Sequence, residues 1–490
     1  MTTTTPLASP GAGTQRDRRW LVLAVLGIAQ LMVVLDATIV NIALPAAQAD
    51  LGFTDSDRQW VIIAYALTFG SLLLLGGRLS DLFGRRITFL TGLVGFAAAS
   101  AVGGLAPSFE ILVAARAGQG IFGALLAPTA LALLTTTFTD PKERAKAFGI
   151  FGAIAGSGAG VGLLLGGVLT EWADWRWTLL VNVFFAGVAL IGAAILLDPQ
   201  RSTTRPRLDI PGTVVGSVAL FAIVFGFSSA EHNGWTATST LAWIVAGVVL
   251  LAAFVYLQSR VEHPLLPLKI ILDRTRGAAF LSMFLAGSGM FAVFLFLTYY
   301  LQVTMGYSPI RTGFAFLPMV MMIMISSIVI NAVLLPKHGP RPLVTTGMVL
   351  GALGLAWLTQ IETGSSYLAH ILPSLVIMGL GMGAIFASSI QSAVSGVAPA
   401  DAGIASATMN TMQQVGGSIG TALLSTIAAT AASDYLAGGG TGGPLQAAME
   451  SYTAAFAWGA GIFAVGAIVA VTLFRPGPLP AQQGTPVAAH

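Results

Sequence analysis

Residues 20–48 read WLVLAVLGIAQLMVVLDATIVNIALPAAQ. More than twenty mostly aliphatic residues in a row suffice to cross a hydrocarbon core about 30 Å thick as a helix. Asp36 interrupts this run, with Gln30, Thr38 and Asn41 nearby. A carboxylate inside a spanning helix costs about 2.5–3.5 kcal/mol on insertion scales, so it is expected to face protein or water rather than lipid. It is the one acidic residue that can be placed deep in any apolar segment, and that makes it a functional candidate. Arg16, Arg18 and Arg19 ahead of the run give it the outline of a secretory leader. The run is longer than the roughly 7–15 residues of such a leader, and further spans follow at once. It is expected to be an uncleaved first helix.

Working outward, the whole chain repeats this character. Of its 490 residues, 55% are hydrophobic and only 9% charged, against about 25% charged in ordinary soluble domains. With a mean hydropathy of +0.83, the expected class is an all-α polytopic membrane protein embedded in a lipid bilayer. The basic pI of 9.3 describes loop arginines and not a nucleic-acid surface. Cysteine is absent, which removes disulfides and thiolate metal sites.

Fourteen apolar segments can be marked: 20–46, 59–77, 87–106, 109–137, 147–169, 178–197, 209–229, 239–258, 277–301, 312–335, 342–361, 367–397, 403–432 and 451–474. An even number places both ends of the chain on one side. The loops on that side hold Arg78, Arg85, Arg86, Lys142, Arg144, Lys146, Arg201, Arg205, Arg207, Arg260, Lys269, Arg274, Arg276, Lys337 and Arg341, while the other side holds only Arg58, Arg176 and Arg311. Cationic loops stay cytoplasmic, so both termini are expected inside the cell membrane. Phe83-Gly84-Arg85-Arg86 with Thr91-Gly92 recurs as His338-Gly339-Pro340-Arg341 with Thr346-Gly347 at a constant offset. Each copy follows the second span of a six-span set. The expected organisation is a tail (1–19), a six-helix bundle (20–197), a linker with two inserted helices (198–276), a second six-helix bundle (277–474) and a tail (475–490). Parallel repeats of this kind bind substrate near the midplane between the halves.

Four stretches carry a family resemblance. Leu35-Asp36-Ala37-Thr38-Ile39-Val40-Asn41-Ile42-Ala43-Leu44-Pro45 resembles the first-helix signature of the fourteen-helix drug:proton antiporters of the major facilitator superfamily. Gly77-Arg78-Leu79-Ser80-Asp81-Leu82-Phe83-Gly84-Arg85-Arg86 resembles the superfamily's loop motif between helices two and three. Arg116-Ala117-Gly118-Gln119-Gly120 resembles its fourth-helix motif, and Asp174-Trp175-Arg176-Trp177 through Asn182 its fifth-to-sixth helix junction. The resemblance covers the whole chain. It implies the major facilitator fold, two six-helix bundles plus two inserted linker helices, and proton-coupled export of amphipathic drug-like or antibiotic molecules. It also implies that Gly77, Asp81, Gly84, Arg85 and Arg86 form a conformational latch. Their other reading is a solvated charge cluster that sets topology. Two departures stand out: Leu82 replaces the basic residue common after the latch acid, and Leu163 follows Gly162 where the antiporter motif usually has proline.

Depth arithmetic joins two of the motifs. At 1.5 Å per residue, Asp36 lies about 24 Å from Trp20 on a helix running outward. Arg116 lies about 10 Å from Phe109 on one running inward. Both fall in the outer half, within about one turn of each other. If the first and fourth helices touch, as the family fold implies, the two share a polar pocket, either as proton-coupling residues or as a permanent structural ion pair. Desolvation favours the neutral acid and the guanidinium favours the carboxylate, so a change in that balance can move a proton.

The substrate-pocket candidates are Gln30, Asn41, Gln119, Phe291, Phe294, Tyr299, Phe386, Asn410, Gln413 and Gln414; aromatic rings with scattered amides suit bulky amphipathic molecules. With one deep acid, neutral or monocationic compounds are expected to be favoured over dications. An enzyme would need a paired acid and base or a metal constellation, and neither H-E-x-x-H nor a P-loop occurs. Nothing calls for a cofactor, a metal or nucleic acid, and a monomer is expected. Proton-coupled uptake or symport of a small metabolite in the same fold is the alternative, because fold does not settle direction.

Overall fold

The computed structural model describes residues 12–54, 57–198, 209–262, 264–397, 402–439 and 442–479. Fourteen long helices account for most of them: α1 (Ala12–Leu51), α2 (Gln59–Phe83), α3 (Arg85–Gly104), α4 (Phe109–Thr137), α5 (Pro141–Trp172), α6 (Trp177–Leu196), α7 (Ile210–Asn233), α8 (Thr238–Arg260), α9 (Arg274–Tyr299), α10 (Pro309–Val329), α11 (Pro340–Leu358), α12 (Leu372–Val394), α13 (Ala402–Ala437) and α14 (Gly443–Leu473). Thirteen are long and apolar enough to cross a membrane. The other, α2, is 25 residues long and is apolar from Gln59 to Leu73. Helices are the expected solution, since in lipid each backbone N–H and C=O has to be satisfied within its own segment.

The two six-helix sets pair alike. In the first, α1 packs on α4, α5 and α6, α2 on α4, and α3 on α4 and α6; in the second, α9 packs on α12, α13 and α14, α10 on α12, and α11 on α12 and α14. Two seams join the sets, α2 with α13 and α5 with α10, and these are again equivalent pairs. The duplicated glycine sits at the same bend in each set. Gly84 (φ 91°) joins α2 to α3 and Gly339 (φ 73°) precedes α11, in a conformation that side chains with a Cβ avoid.

Small residues set the helix spacing. A Cβ on Gly158 or Gly162 of α5 would meet Val34 or Thr38 of α1 at 2.9 or 2.1 Å; on Gly416 or Gly420 of α13 it would meet the α9 backbone at Phe284 or Ser288 at 2.0 or 2.4 Å. These glycine ladders let the backbones approach closely. Helix α5 runs unbroken past Leu163, as the absence of a proline there allows.

The inserted pair lies against one seam. Helix α7 packs on α13 and α2, whereas α8 packs on α7, and only 11% of its most apolar stretch is buried. The connection between α8 and α9 lies against the protein: Leu265, Leu266 and Ile270 are buried, and Arg78 of α2 donates to the Pro264 carbonyl at 3.3 Å. The polar residues around 433–450 are mostly helical, with α13 continuing to Ala437 and α14 starting at Gly443. Continuing a helix satisfies backbone groups even where side chains turn polar. Beyond α14 the chain stays on the protein. Leu479 packs on Ile330, Leu335, Ala384 and Ala387, and a Cβ on Gly339 would lie 1.9 Å from the Gly477 carbonyl oxygen.

Candidate functional site

Asp36 and Arg116 meet in the interior of the first set. Arg116 Nη1 lies 2.6 Å from Asp36 Oδ2, with Asp36 0% and Arg116 1% exposed. Asp36 Oδ1 accepts from Gln119 Nε2 at 2.8 Å and from Asn182 Nδ2 at 2.7 Å. Gln119 also accepts from Arg116 Nη1 at 2.9 Å and donates to Ser100 Oγ at 2.8 Å. Arg116 Nε donates to the Val61 carbonyl at 3.1 Å, and its guanidinium lies 4.5 Å from the Tyr65 ring centre. Helices α4 and α6 bond the carboxylate of α1 directly, and α2 and α3 join the network through Arg116 and Gln119. A buried ion pair is tolerated only with such supplementary hydrogen bonds. The depth arithmetic anticipates the pairing, and the fourth- and sixth-helix motifs each supply an amide. Ser100, Tyr65 and the Val61 carbonyl carry no sequence signal, because neutral polar groups are common in these spans.

Asp36 faces α4 and α6. Another strip of α1, made by Gln30, Ala37 and Asn41, lies between the strip packed on α5 (Val34 and Thr38) and Val33, whose carbonyl accepts from Tyr65 of α2. Gln30 and Ala37 are partly exposed and Asn41 is buried. On α13, Thr411 donates to the Gly70 carbonyl of α2 at 2.9 Å and Gln414 packs on Gly70, while Gly416, Gly420 and the Gln413 backbone press on α9. Asn410 lies between these two strips, is exposed, and donates to the Ser406 carbonyl. Its free edge therefore faces the space between the sets, as do Gly149 and Gly152 of α5, where an added Cβ would meet nothing within 4 Å. Phe386 is partly buried; Phe294 is buried 5.2 Å from the Phe316 ring. The side chains of Phe291 and Asp81 lie outside the described residues.

This space is closed at the end away from the chain termini. There Tyr299 of α9 donates to Gln48 of α1, Gln302 Nε2 donates to the Ile42 carbonyl at 2.9 Å, and the Ile310 N–H donates to Glu171 at 3.0 Å. Arg58 stands 4.1 Å from the Tyr299 ring centre, and Arg176 pairs with Asp50. From the sequence alone Arg58 and Arg176 count as outer-loop charges, Arg176 also belongs to the fifth-to-sixth helix motif, Gln302 is one of several polar candidates of the second half, and Gln48 has no role. Their positions at segment ends hide contacts made with other helices.

At the opposite end, the arginines of the loop motif bond helix carbonyls. Arg86 Nη2 donates to Ala194 O of α6 at 2.8 Å and Arg85 Nη1 to Ala132 O of α4 at 3.4 Å. In the second set Arg341 Nε donates to Val471 O of α14 at 2.8 Å. Ala194 and Val471 carry carbonyls that a helix leaves unpaired in its last turn, whereas Ala132 lies more than a turn from the end of α4. Gly77 faces Pro128 of α4, 3.7 Å from where a Cβ would lie.

Relatives carry this architecture. The chain is 47% identical over 472 residues to the puromycin resistance protein of Streptomyces alboniger, covering 96% of this chain and 94% of that one. It is 39% identical to the cephamycin export protein of Amycolatopsis lactamdurans (81% and 83% covered). It is 32% identical to a multidrug efflux pump of Mycolicibacterium smegmatis (86% and 82% covered). The crystal structure of a bacterial homologue of the human lysosomal transporter Spinster, inward-facing and unoccupied, superposes with a TM-score of 0.65 at 15% identity, covering 93% of this chain and 98% of that one. The model of the Major Facilitator Superfamily matches residues 26–421. By sequence, helix pairing and duplicated architecture, this chain is a member of the Major Facilitator Superfamily.

Proposed function

We propose that the protein exports amphipathic drug-like or antibiotic molecules across the cytoplasmic membrane in exchange for protons. Its relatives named for puromycin resistance, cephamycin export and multidrug efflux support the direction and the class of cargo. The observation that carries the mechanism is the sealed Asp36–Arg116 pair in a fold whose halves meet along two equivalent seams. Rocking about these seams opens the closed end and closes the open one, which is alternating access. Protonating Asp36 removes the negative partner of Arg116, so the network of five helices holds differently in its two protonation states. The Gly77–Arg86 loop, with Asp81, Gly84 and Arg85, is the proposed latch for one of these states. The arginine asymmetry supports a cytoplasmic open end and cytoplasmic termini. Reporter fusions after Lys337 should then read cytoplasm, and those at Gly440 the outside.

The deciding experiment is dye efflux in everted vesicles under an imposed pH gradient. Asp36→Asn should lose gradient-driven transport while remaining in the membrane, and Asp36→Glu should keep part of it. Full gradient-driven transport by the Asn variant would place the proton elsewhere. Accumulation in the direction of the proton flow would favour symport of a metabolite.

A further inference from the structure

Asp36 and the open space lie on different faces of α1. At 100° per residue, Asn41 is turned roughly 140° from Asp36 around the helix axis. Gln30 and Ala37 share the strip of Asn41, while Asp36 is 0% exposed and spends both oxygens inside the first set. A molecule between the sets therefore does not meet the carboxylate.

Nor does it meet another buried charge. Among the described residues four charged side chains are buried: Asp36, Arg58, Arg116 and Asp209. Arg58 lies over Tyr299 at the closed end. Asp209 caps α7, accepting from the Gly212 N–H and from Gln258. The other described charges are at least partly exposed, at helix ends and in loops. What the walls offer is glycine, aliphatic surface and amides.

One of those amides is incomplete. Asn41 is 2% exposed. Its Nδ2 donates to the Ala37 and Thr38 carbonyls of its own helix at 3.2 and 3.3 Å, which fixes the amide orientation, since only nitrogen can donate to those oxygens. Its Oδ1 has no hydrogen-bond partner among the described residues. A buried acceptor left unpaired is unfavourable, and this one shares a strip of α1 with the partly exposed Gln30 and Ala37, nearer the closed end.

We infer that the cavity takes its cargo uncharged, as a neutral amphipathic molecule that donates a hydrogen bond to Asn41 Oδ1. This rests on the export reading and narrows the expected range, which also admits monocations. Cargo and proton then occupy different faces of one helix and communicate through its movement.

The test uses two isosteric coumarin carboxamides, one with a 3,3-dimethylbutyl group on the amide nitrogen and one with a 2-(trimethylammonio)ethyl group. They differ in charge and share the amide N–H. Binding is measured to the full-length protein in lipid nanodiscs, and gradient-driven accumulation in proteoliposomes. The neutral amide should bind at least tenfold more tightly (about 1.4 kcal/mol) and be the one accumulated. N-methylation of its amide should weaken binding severalfold in the wild type and have no effect in Asn41→Leu. Asn41→Asp, nearly isosteric, should shift preference towards the cation. Equal binding and transport of the two probes would overturn the inference and leave export standing, as would undiminished sensitivity of Asn41→Leu to N-methylation. Transport of neither probe would overturn the export reading together with it.

Discussion

The two six-helix sets share one pairing plan and differ in what fills its centre. The glycine ladders give the register: Val34 and Thr38 of α1 stand where Phe284 and Ser288 stand on α9, so Asp36 corresponds to Ala286. The contact of Gly92 with Leu126, repeated by Gly347 with Ile385, likewise makes Leu375 the counterpart of Arg116. Ala286 and Leu375 are each 0% exposed. The fold thus closes equally well around an ion pair and around two aliphatic side chains. Six helices of this plan can close around aliphatic side chains, which is consistent with the transport role proposed for the charged centre of the first set.

The sharpest way to break this comparison is to make the first set like the second. Asp36→Ala combined with Arg116→Leu should abolish pH-gradient-driven efflux, by two orders of magnitude or more in vesicles, yet keep the thermal midpoint of the purified protein near the wild-type value. Replacing a buried pair by apolar groups is often neutral or stabilising, whereas removing one partner costs about 3–5 kcal/mol. Arg116→Leu alone should therefore unfold at a markedly lower temperature. A double variant less stable than either single one would show that the pair is structural.

The ladders should respond alike. Gly162→Ala and Gly420→Ala each push a methyl group into the facing helix, and overpacking of this kind costs about 1–3 kcal/mol. Thermal unfolding in detergent should report similar losses for the two, and a large difference would show that one ladder opens during transport. A smaller effect is expected from Tyr299→Phe, which deletes the hydroxyl bound to Gln48 across the sets. A hydrogen bond of this sort contributes about 1 kcal/mol, so labelling of a cysteine placed at the closed end should quicken about fivefold. Smallest of all, Arg86→Ala and Arg341→Ala each remove a cation from the end of an equivalent helix. Each should cost about 0.3–1 kcal/mol, read as a shift of one or two degrees in the same melting assay. A far larger transport defect in Arg86→Ala than in Arg341→Ala would support the latch.

Much of this was legible in the residues, and the limits have physical causes. The spans and their order follow from hydropathy, because lipid admits little else. Asp36 and Arg116 stand out because charges in a span are costly and few. Helix ends are less legible: α5 begins at Pro141 rather than near 147, since a helix persists into the interface without needing apolar side chains. The π-helical turns at Tyr300–Thr304, Ile330–Leu334 and Tyr367–Ile371 leave no mark in composition. Asn410, Gln413 and Gln414 fall at helical spacing, yet Gln414 packs on α2 and Asn410 faces open space. Spacing gives the angle of a side chain and not the neighbour it meets.

The segment after α14 carries a practical consequence. Leu479 and the Gly477 carbonyl cover Ile330 and Leu335 just after α10, Ala384 and Ala387 of α12, and the bend before α11. An affinity tag joined directly to Phe474 would strip that cover and leave Ile330, Leu335 and Ala387 facing solvent or detergent. A fusion that begins beyond Leu479 keeps the seal, so the junction chosen for purification should itself alter how well the protein survives extraction.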